Sequence, residues 1–160
     1  MVRRAVLSDL PAILSIYESG RLFMHSHGNP HQWIGGYPQE SILKKDIADK
    51  DLYVLEDGAV YGVFLMTEKP EPTYARIHGR FLTPSPYLTL HRVCGDGIHR
   101  GILKEAVAFA NQRFLPIRID THIDNLPMQR AVLAQGFRFC GVIHLQNGDA
   151  RLAYERKARV

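Results

Sequence analysis

The chain has 160 residues, 46% hydrophobic and 22% charged, which fits a single soluble globular domain, residues 1–160, with a sizeable core. No apolar run approaches the roughly 20 residues a bilayer span needs, and the opening Met-Val-Arg-Arg lacks signal-peptide character, so the expected setting is cytoplasmic, away from membranes. The net charge of +4 is spread along the chain, with short clusters at the two ends (Arg3 and Arg4; Arg156, Lys157 and Arg159) and no basic stripe of interleaved aromatics, so nucleic acid is not an expected partner.

Val2 to Val6 has strand character. Ser8 is a candidate N-cap with Pro11 in the first turn, and Leu10, Ile13, Leu14 and Tyr17 then follow at helical spacing. His25 to Pro38 is polar and glycine-rich, a predicted loop, and Pro38 to Ile47 is a second predicted helix with Ile42, Leu43 and Ile47 inward. Asp51 to Glu56 and Ala59 to Thr67 are strands joined at Asp57-Gly58, a pair suited to a two-residue turn with φ > 0 at both positions. Pro70 to Pro86 carries four prolines and no clear period, and is expected as a long surface connection that supplies substrate contacts.

Tyr87 to Cys94 is the next strand, followed by Gly95, Gly97 and Gly101. An amphipathic helix runs on through Ile102, Leu103, Ala106, Val107, Ala110 and Phe114. Pro116 to Thr121 alternates isoleucine with Arg118 and Asp120, as a strand does. Asp124 or Asn125 caps the last helix, Met128, Ala131 and Val132 face inward, and Gly136 ends it. Phe137 to Leu145 and Ala150 to Glu155 form a hairpin around Asn147-Gly148. The order β-α-α-β-β-β-α-β-α-β-β, with two hairpins and one strand–helix–strand crossover, predicts a mixed α/β sheet with helices on both faces.

The strand–glycine–helix unit from Leu88 to Asn111 is the most informative chemically. A helix N-terminus offers unpaired N–H groups and a positive dipole end, which suit a phosphate. The segment Gly95 to Gly101 lacks the Lys-Ser/Thr of a P-loop, and its glycines miss the dinucleotide G-x-G-x-x-G spacing by one residue.

The element order, the strand Tyr87 to Val93 with its His91-Arg92, the run Ile119 to Gln129, the Gly136-Phe137 exit and Cys140-Gly141 resemble the GNAT acetyltransferases, and one bacterial group among them. The resemblance extends along nearly the whole chain. It implies the GNAT fold, acetyl-CoA as co-substrate, no metal, and direct acetyl transfer to a primary amine of a small molecule or protein by a monomer or homodimer. An inactive CoA-binding or sensory module with this fold is the alternative reading.

Carried over by position, the resemblance implies that Leu90, Arg92 and Val93 flank the cofactor arm, with Asn125 and Met128 beside it. Ile98, His99, Arg100, Gly101, Ile102 and Leu103 would wrap the pyrophosphate. The superfamily pattern Gln/Arg-x-x-Gly-x-Gly/Ala falls on Ile98 to Leu103, where only the central Gly101 matches. The tyrosine that many relatives use as general acid falls on Val132, which leaves Tyr154 or the Cys140 thiol as substitutes.

A base of near-neutral pKa suits the amine proton, and His91 is the first candidate, with His122 second because it follows the C-terminal end of a strand. Strand histidines also serve simply as hydrogen-bonded structural residues. His25, His27 and His31 crowd one loop but fit no standard zinc spacing, so Trp33 and Tyr37 are expected in an acceptor-site lid instead. His78, with Arg76 and Arg80, is a further acceptor contact. Cys94 and Cys140 stand in no metal-like or redox-like spacing, consistent with a reduced compartment.

Overall fold

The structure, a computed structural model, describes residues 1–159. One eight-stranded sheet runs through it, in the order β1-β2-β3-β5-β6-β8-β7-β4. Its strands are β1 (Val2–Arg4), β2 (Leu52–Asp57), β3 (Ala59–Thr67), β4 (His78–Gly79), β5 (Leu88–Gly95), β6 (Ile117–Thr121), β7 (Arg138–His144) and β8 (Ala150–Arg156). The helices are α1 (Leu10–Ser26), α2 (Glu40–Ala48), α3 (Ile102–Ala110) and α4 (Leu126–Ala134). Every neighbouring pair is antiparallel except β5 and β6, the crossover pair.

Period-two alternation divides the sheet's side chains between two faces. Tyr53, Leu55, Phe64, Met66, Leu88, Leu90, Ile117, Ile119 and Tyr154 belong to one buried cluster, with Leu103, Ala106 and Val107 from α3 and Val132 from α4. Leu52, Val54, Val63, Leu65 and Cys94 face the other way, onto Ile13, Ile16 and Tyr17 of α1 and Leu43 of α2. No described helix is long and apolar enough to cross a membrane.

Several local expectations change. Ser8 lies in a 3-10 turn (Leu7–Asp9), and α1 starts behind Asp9, whose carboxylate accepts from the Val6 N–H and is held by Arg3. α1 runs on to Ser26, so His25 is helical. The β2–β3 turn is a single residue, Gly58, between paired Asp57 and Ala59, with a register shift beside it in place of the two-residue turn. Phe114 is outside α3, left-handed at φ 55 and 70% exposed, because a 3-10 turn (Asn111–Arg113) ends the helix early.

The connection before β5 is more ordered than its prolines suggest. It holds a 3-10 turn (Pro72–Arg76) and the short strand β4, which pairs with β7 at the sheet edge. Gly79 and Gly141 make that pairing close: a Cβ on Gly79 would stand 2.1 Å from the Cys140 carbonyl oxygen, and one on Gly141 2.2 Å from that of His78. Tyr74, Tyr87, Ile143 and Ala153 form a small core beneath the connection.

Candidate active site

The sheet opens where β5 meets β6. Their parallel register covers only Leu88 with Ile117 and Thr89 with Arg118, and the strands part beyond it. On its other side β5 carries a bulge: Leu65 pairs with His91 and Val63 with Cys94, so two residues, Arg92 and Val93, oppose Phe64 alone. Arg92 takes φ 50 there. A bulge of this kind bends the strand and re-aims its side chains.

Arg92 is clamped by its surroundings. Its carbonyl accepts from the Tyr17 hydroxyl at 2.8 Å, and its guanidinium pairs with Asp46 of α2 and donates to the Tyr37 hydroxyl at 3.0 Å. The left-handed backbone is thus held from α1, α2 and the segment between them. That segment is also tied to α4: Gln32 Oε1 accepts from Asn29 and Asn125, while Asn125 Oδ1 accepts from the Met128 N–H as the N-cap. Both ends of the Asn125 amide are therefore engaged within the chain.

A cleft of about 620 Å³ lies at the splay. Leu90, His91, Arg92 and Val93 line it from β5, Asn125 and Met128 from α4, and Trp33 and Tyr37 from the segment joining α1 to α2. It also takes in Glu71, Asp120, Thr121 and Arg151, which sequence reasoning did not single out. Thr121 Oγ1 and Arg92 Nε are buried there without a hydrogen-bond partner, polar groups that a bound polar chain would satisfy.

His91 stands on the α1 side of the sheet between two carboxylates. Its Nε2 is 3.2 Å from Glu71 and its Nδ1 3.7 Å from Asp120. Tyr74 donates to the same Asp120 oxygen at 2.7 Å, and Tyr87 accepts at its hydroxyl from the Glu71 N–H at 2.9 Å. The hydrogen bond from His91 holds the Glu71 carboxyl down at about 2, against the opposing effect of its burial. Glu71 thus remains an anion through the neutral range, able to accept or orient a proton.

The same face carries a buried pair further along the sheet. Arg118 donates to Glu155 at 2.8 Å, Glu155 is fully buried and also accepts from Thr83, and the Arg118 guanidinium lies 3.8 Å from the ring centres of both Phe81 and Tyr87. These contacts fasten the proline-rich connection over the strands and fix Glu71 and Tyr74 beside His91.

Other predicted residues stand apart. His122 is at the cleft's rim: its Nδ1 accepts from the Asp124 N–H, its ring stacks on His31, and burial lowers its pKa. Tyr154 is on the opposite face from His91, in the cluster that holds Val132, and burial raises its pKa. His78 lies at the far edge of the sheet, exposed, against His144. Cys140, on β7, donates to the Arg138 carbonyl. His25, His27 and His31 belong to no group of metal-ligating residues among those described.

The glycine loop is a separate region. Ile98 is 80% exposed, Asp96 receives the Ile98 and His99 N–H groups, and His99 stacks on Tyr61. Gly101 is the N-cap of α3 at φ 78, with nothing within 4 Å of where a Cβ would point. Leu103 turns into the core and Ile102 packs against Gly62 and Gly95, so the side chain at each of these positions faces the protein.

No protein-family model matches the chain, nor does any curated protein sequence. Solved structures do. A GNAT-family acetyltransferase from Streptococcus agalactiae is 25% identical, covers all of this chain with 96% of its own length, and superposes with a TM-score of 0.84. A second, from Listeria monocytogenes, is 21% identical over 98% of this chain and 93% of its own, with a TM-score of 0.71. A ribosomal-protein-alanine N-acetyltransferase from Brucella melitensis is 20% identical over 98% and 99%, with a TM-score of 0.62. On this full-length likeness, the chain belongs to the GNAT superfamily.

Proposed function

We propose that this chain is a single-domain, cytoplasmic N-acetyltransferase that takes its acetyl group from acetyl-CoA and passes it to a primary amine. The observation that supports this reading best is His91, set between Glu71 and Asp120 on the lip of the parted strands. Superfamily membership and the solved acetyltransferases of the same fold support the reaction class.

Acetyl-CoA supplies a thioester whose carbonyl carbon accepts the amine nitrogen as the C–S bond breaks. His91, backed by Glu71, takes the proton that the amine must lose, and Asp120 with Tyr74 fixes the ring. The backbone N–H at Val93, in the bulge, is the donor assigned to the developing oxyanion. Leu90 and Val93 flank the arm, Asn125 and Met128 border it across the gap, and Thr121 has an unpartnered hydroxyl to offer. The backbone at the head of α3, around Gly101, is the assigned phosphate site, since a helix N-terminus needs no side-chain cation. Tyr154, on the opposite face and protonated at neutral pH, is the proposed donor to the departing thiolate.

A second reading, a CoA-binding module without turnover, is favoured by Val132. It is fully buried at the position where many relatives carry the acid tyrosine. Thermal-shift titration with acetyl-CoA and with CoA tests both readings. Stabilisation of about 2.7 kcal/mol is expected at a hundredfold excess over Kd, and no shift with either ligand overturns them. Thiol release over an amine panel then divides the two. His91→Ala is expected to lower the transfer rate about 10²- to 10⁴-fold with CoA binding intact, and an unchanged rate and pH profile would dismiss His91 as the base.

A further inference from the structure

Arg151 is a buried cation that the reaction chemistry above does not use. It is 7% exposed, lines the cleft, and donates to the carbonyl of its own neighbour Ala150. Among the described residues no carboxylate lies within 4.0 Å of its guanidinium nitrogens, whereas Arg92 is paired with Asp46, Arg118 with Glu155 and Arg3 with Asp9. A buried guanidinium has a desolvation cost that only an anion or several acceptors offset.

Its position relates it to His91. Asp120 pairs with Ala153 across β6 and β8, so Arg151, two residues along β8, projects from the same face as Asp120 and His91. Asp120 and Arg151, in that diagonal relation, sit roughly 7–8 Å apart, and His91, on the next strand beside Asp120, lines the same cleft as Arg151. Asp120 and Asp149 act on Arg151 through space, as does the Tyr37 hydroxyl, while His122 faces it from the rim. The cleft therefore has a negative end, Glu71 and Asp120 around His91, and one unpaired guanidinium beside it.

We infer that the acceptor is a free α-amino acid, its carboxylate received by Arg151 and its amine delivered to His91 between Glu71 and Asp120. A guanidinium receives a carboxylate by two parallel N–H···O bonds, which fixes the direction of the amine as well as holding the ligand. A protein N-terminus or a polyamine has no carboxylate so close to its amine and leaves Arg151 unpaired. This inference deepens the acetyltransferase reading and rests on it for the identity of the amine as acceptor.

Equilibrium binding separates the two. N-acetylmethionine, N-acetylphenylalanine and N-acetylglycine, each compared with its amide, are titrated calorimetrically into CoA-loaded protein. At least one acid should bind about 10- to 100-fold more tightly than its amide, the ratio that a charge-assisted bidentate pair supports. Arg151→Met should bring that ratio to near one while its thermal shift with CoA stays unchanged, and Arg151→Lys should keep part of it. Equal affinity for acid and amide, no acid binding at millimolar concentration, or a ratio that survives Arg151→Met overturns the inference. Acetyl transfer to other amines but to none of methionine, phenylalanine and glycine would overturn the inference and leave the enzymatic reading standing. No thiol release with any amine, alongside Arg151-dependent acid binding, would instead sink the enzymatic reading and leave the carboxylate site.

Discussion

The two faces of β6 and β8 make opposite use of the same strands. Toward α3 and α4 they present Ile117, Ile119 and Tyr154 to an apolar cluster. Toward the connection 70–87 they present Arg118, Asp120, Glu155 and Arg151, three of them less than a tenth exposed. A helix covers a sheet with an apolar stripe and asks only for complementary shape. The proline-rich connection adds to its small apolar core a polar fastening: Thr83, Phe81 and Tyr87 sit on the Arg118–Glu155 pair, and tyrosine hydroxyls bond Glu71 and Asp120. Polar fastening is what brings Glu71 and Tyr74 to His91, so the face that is harder to stabilise is the one that can do chemistry.

The contrast predicts different responses to truncation. Glu155→Ala leaves the Arg118 cation buried and unpaired and is expected to cost about 3–5 kcal/mol in urea unfolding. Replacing both, as Arg118→Met with Glu155→Leu, should recover most of that loss. Persistence of the full loss in the double variant would mean that the pair does more than satisfy its own charges. On the apolar face, Ile117→Ala should cost about 2–4 kcal/mol by cavity formation alone, with no second-site remedy of this kind.

Smaller effects sharpen the picture. Gly141→Ala forces β4 away from β7 and should cost about 1–3 kcal/mol while CoA binding holds, because no residue of β4 or β7 lines the cleft. Glu71 has a folded pKa of about 2, below its ordinary value near 4.3, so it stabilises the fold above pH ~4.3 and loses that contribution as pH falls toward 2. Its side chain is 25% exposed, so the discounted effect is about 1–2 kcal/mol. Unfolding of Glu71→Gln should lag wild type by that amount at pH 6, with the gap closing through the acid range. Gly101→Ala, in open space at positive φ, should cost about 1 kcal/mol through backbone strain only. Gly101→Asp should in addition weaken CoA binding. Unchanged affinity in the folded Asp variant would move the phosphates elsewhere.

Much of this was legible in the sequence because it is written in periods. The alternation of Ile117 to Thr121 and the spacing of Ile13, Leu43, Leu103 and Val132 gave the strands, the helices and their inward faces. The resemblance around His91 and Asn125 to Phe137 pointed to residues that line the cleft. What stayed hidden depends on long-range contact. Arg118 and Asp120 alternate with isoleucines like solvent-facing residues, and nothing local says that a connection 30 residues earlier buries them. Glu71 and Arg151 lie in unrelated segments, and only the folded sheet brings them to the lining of one cleft. Asp57-Gly58 missed the turn geometry because a register shift at Leu55 and Glu56, within the hairpin, took up the extra residue.

The bulge at Arg92 has a consequence for timing. A left-handed arginine is uphill by about 1–2 kcal/mol, yet here Tyr17, Tyr37 and Asp46 hold it before any ligand arrives. A site shaped in advance has no slow rearrangement to wait for. Association of CoA observed by stopped flow should then be a single exponential whose rate climbs linearly with concentration. Releasing the clamp with Tyr17→Phe should make the same trace level off as opening and closing of the strand become the slow event.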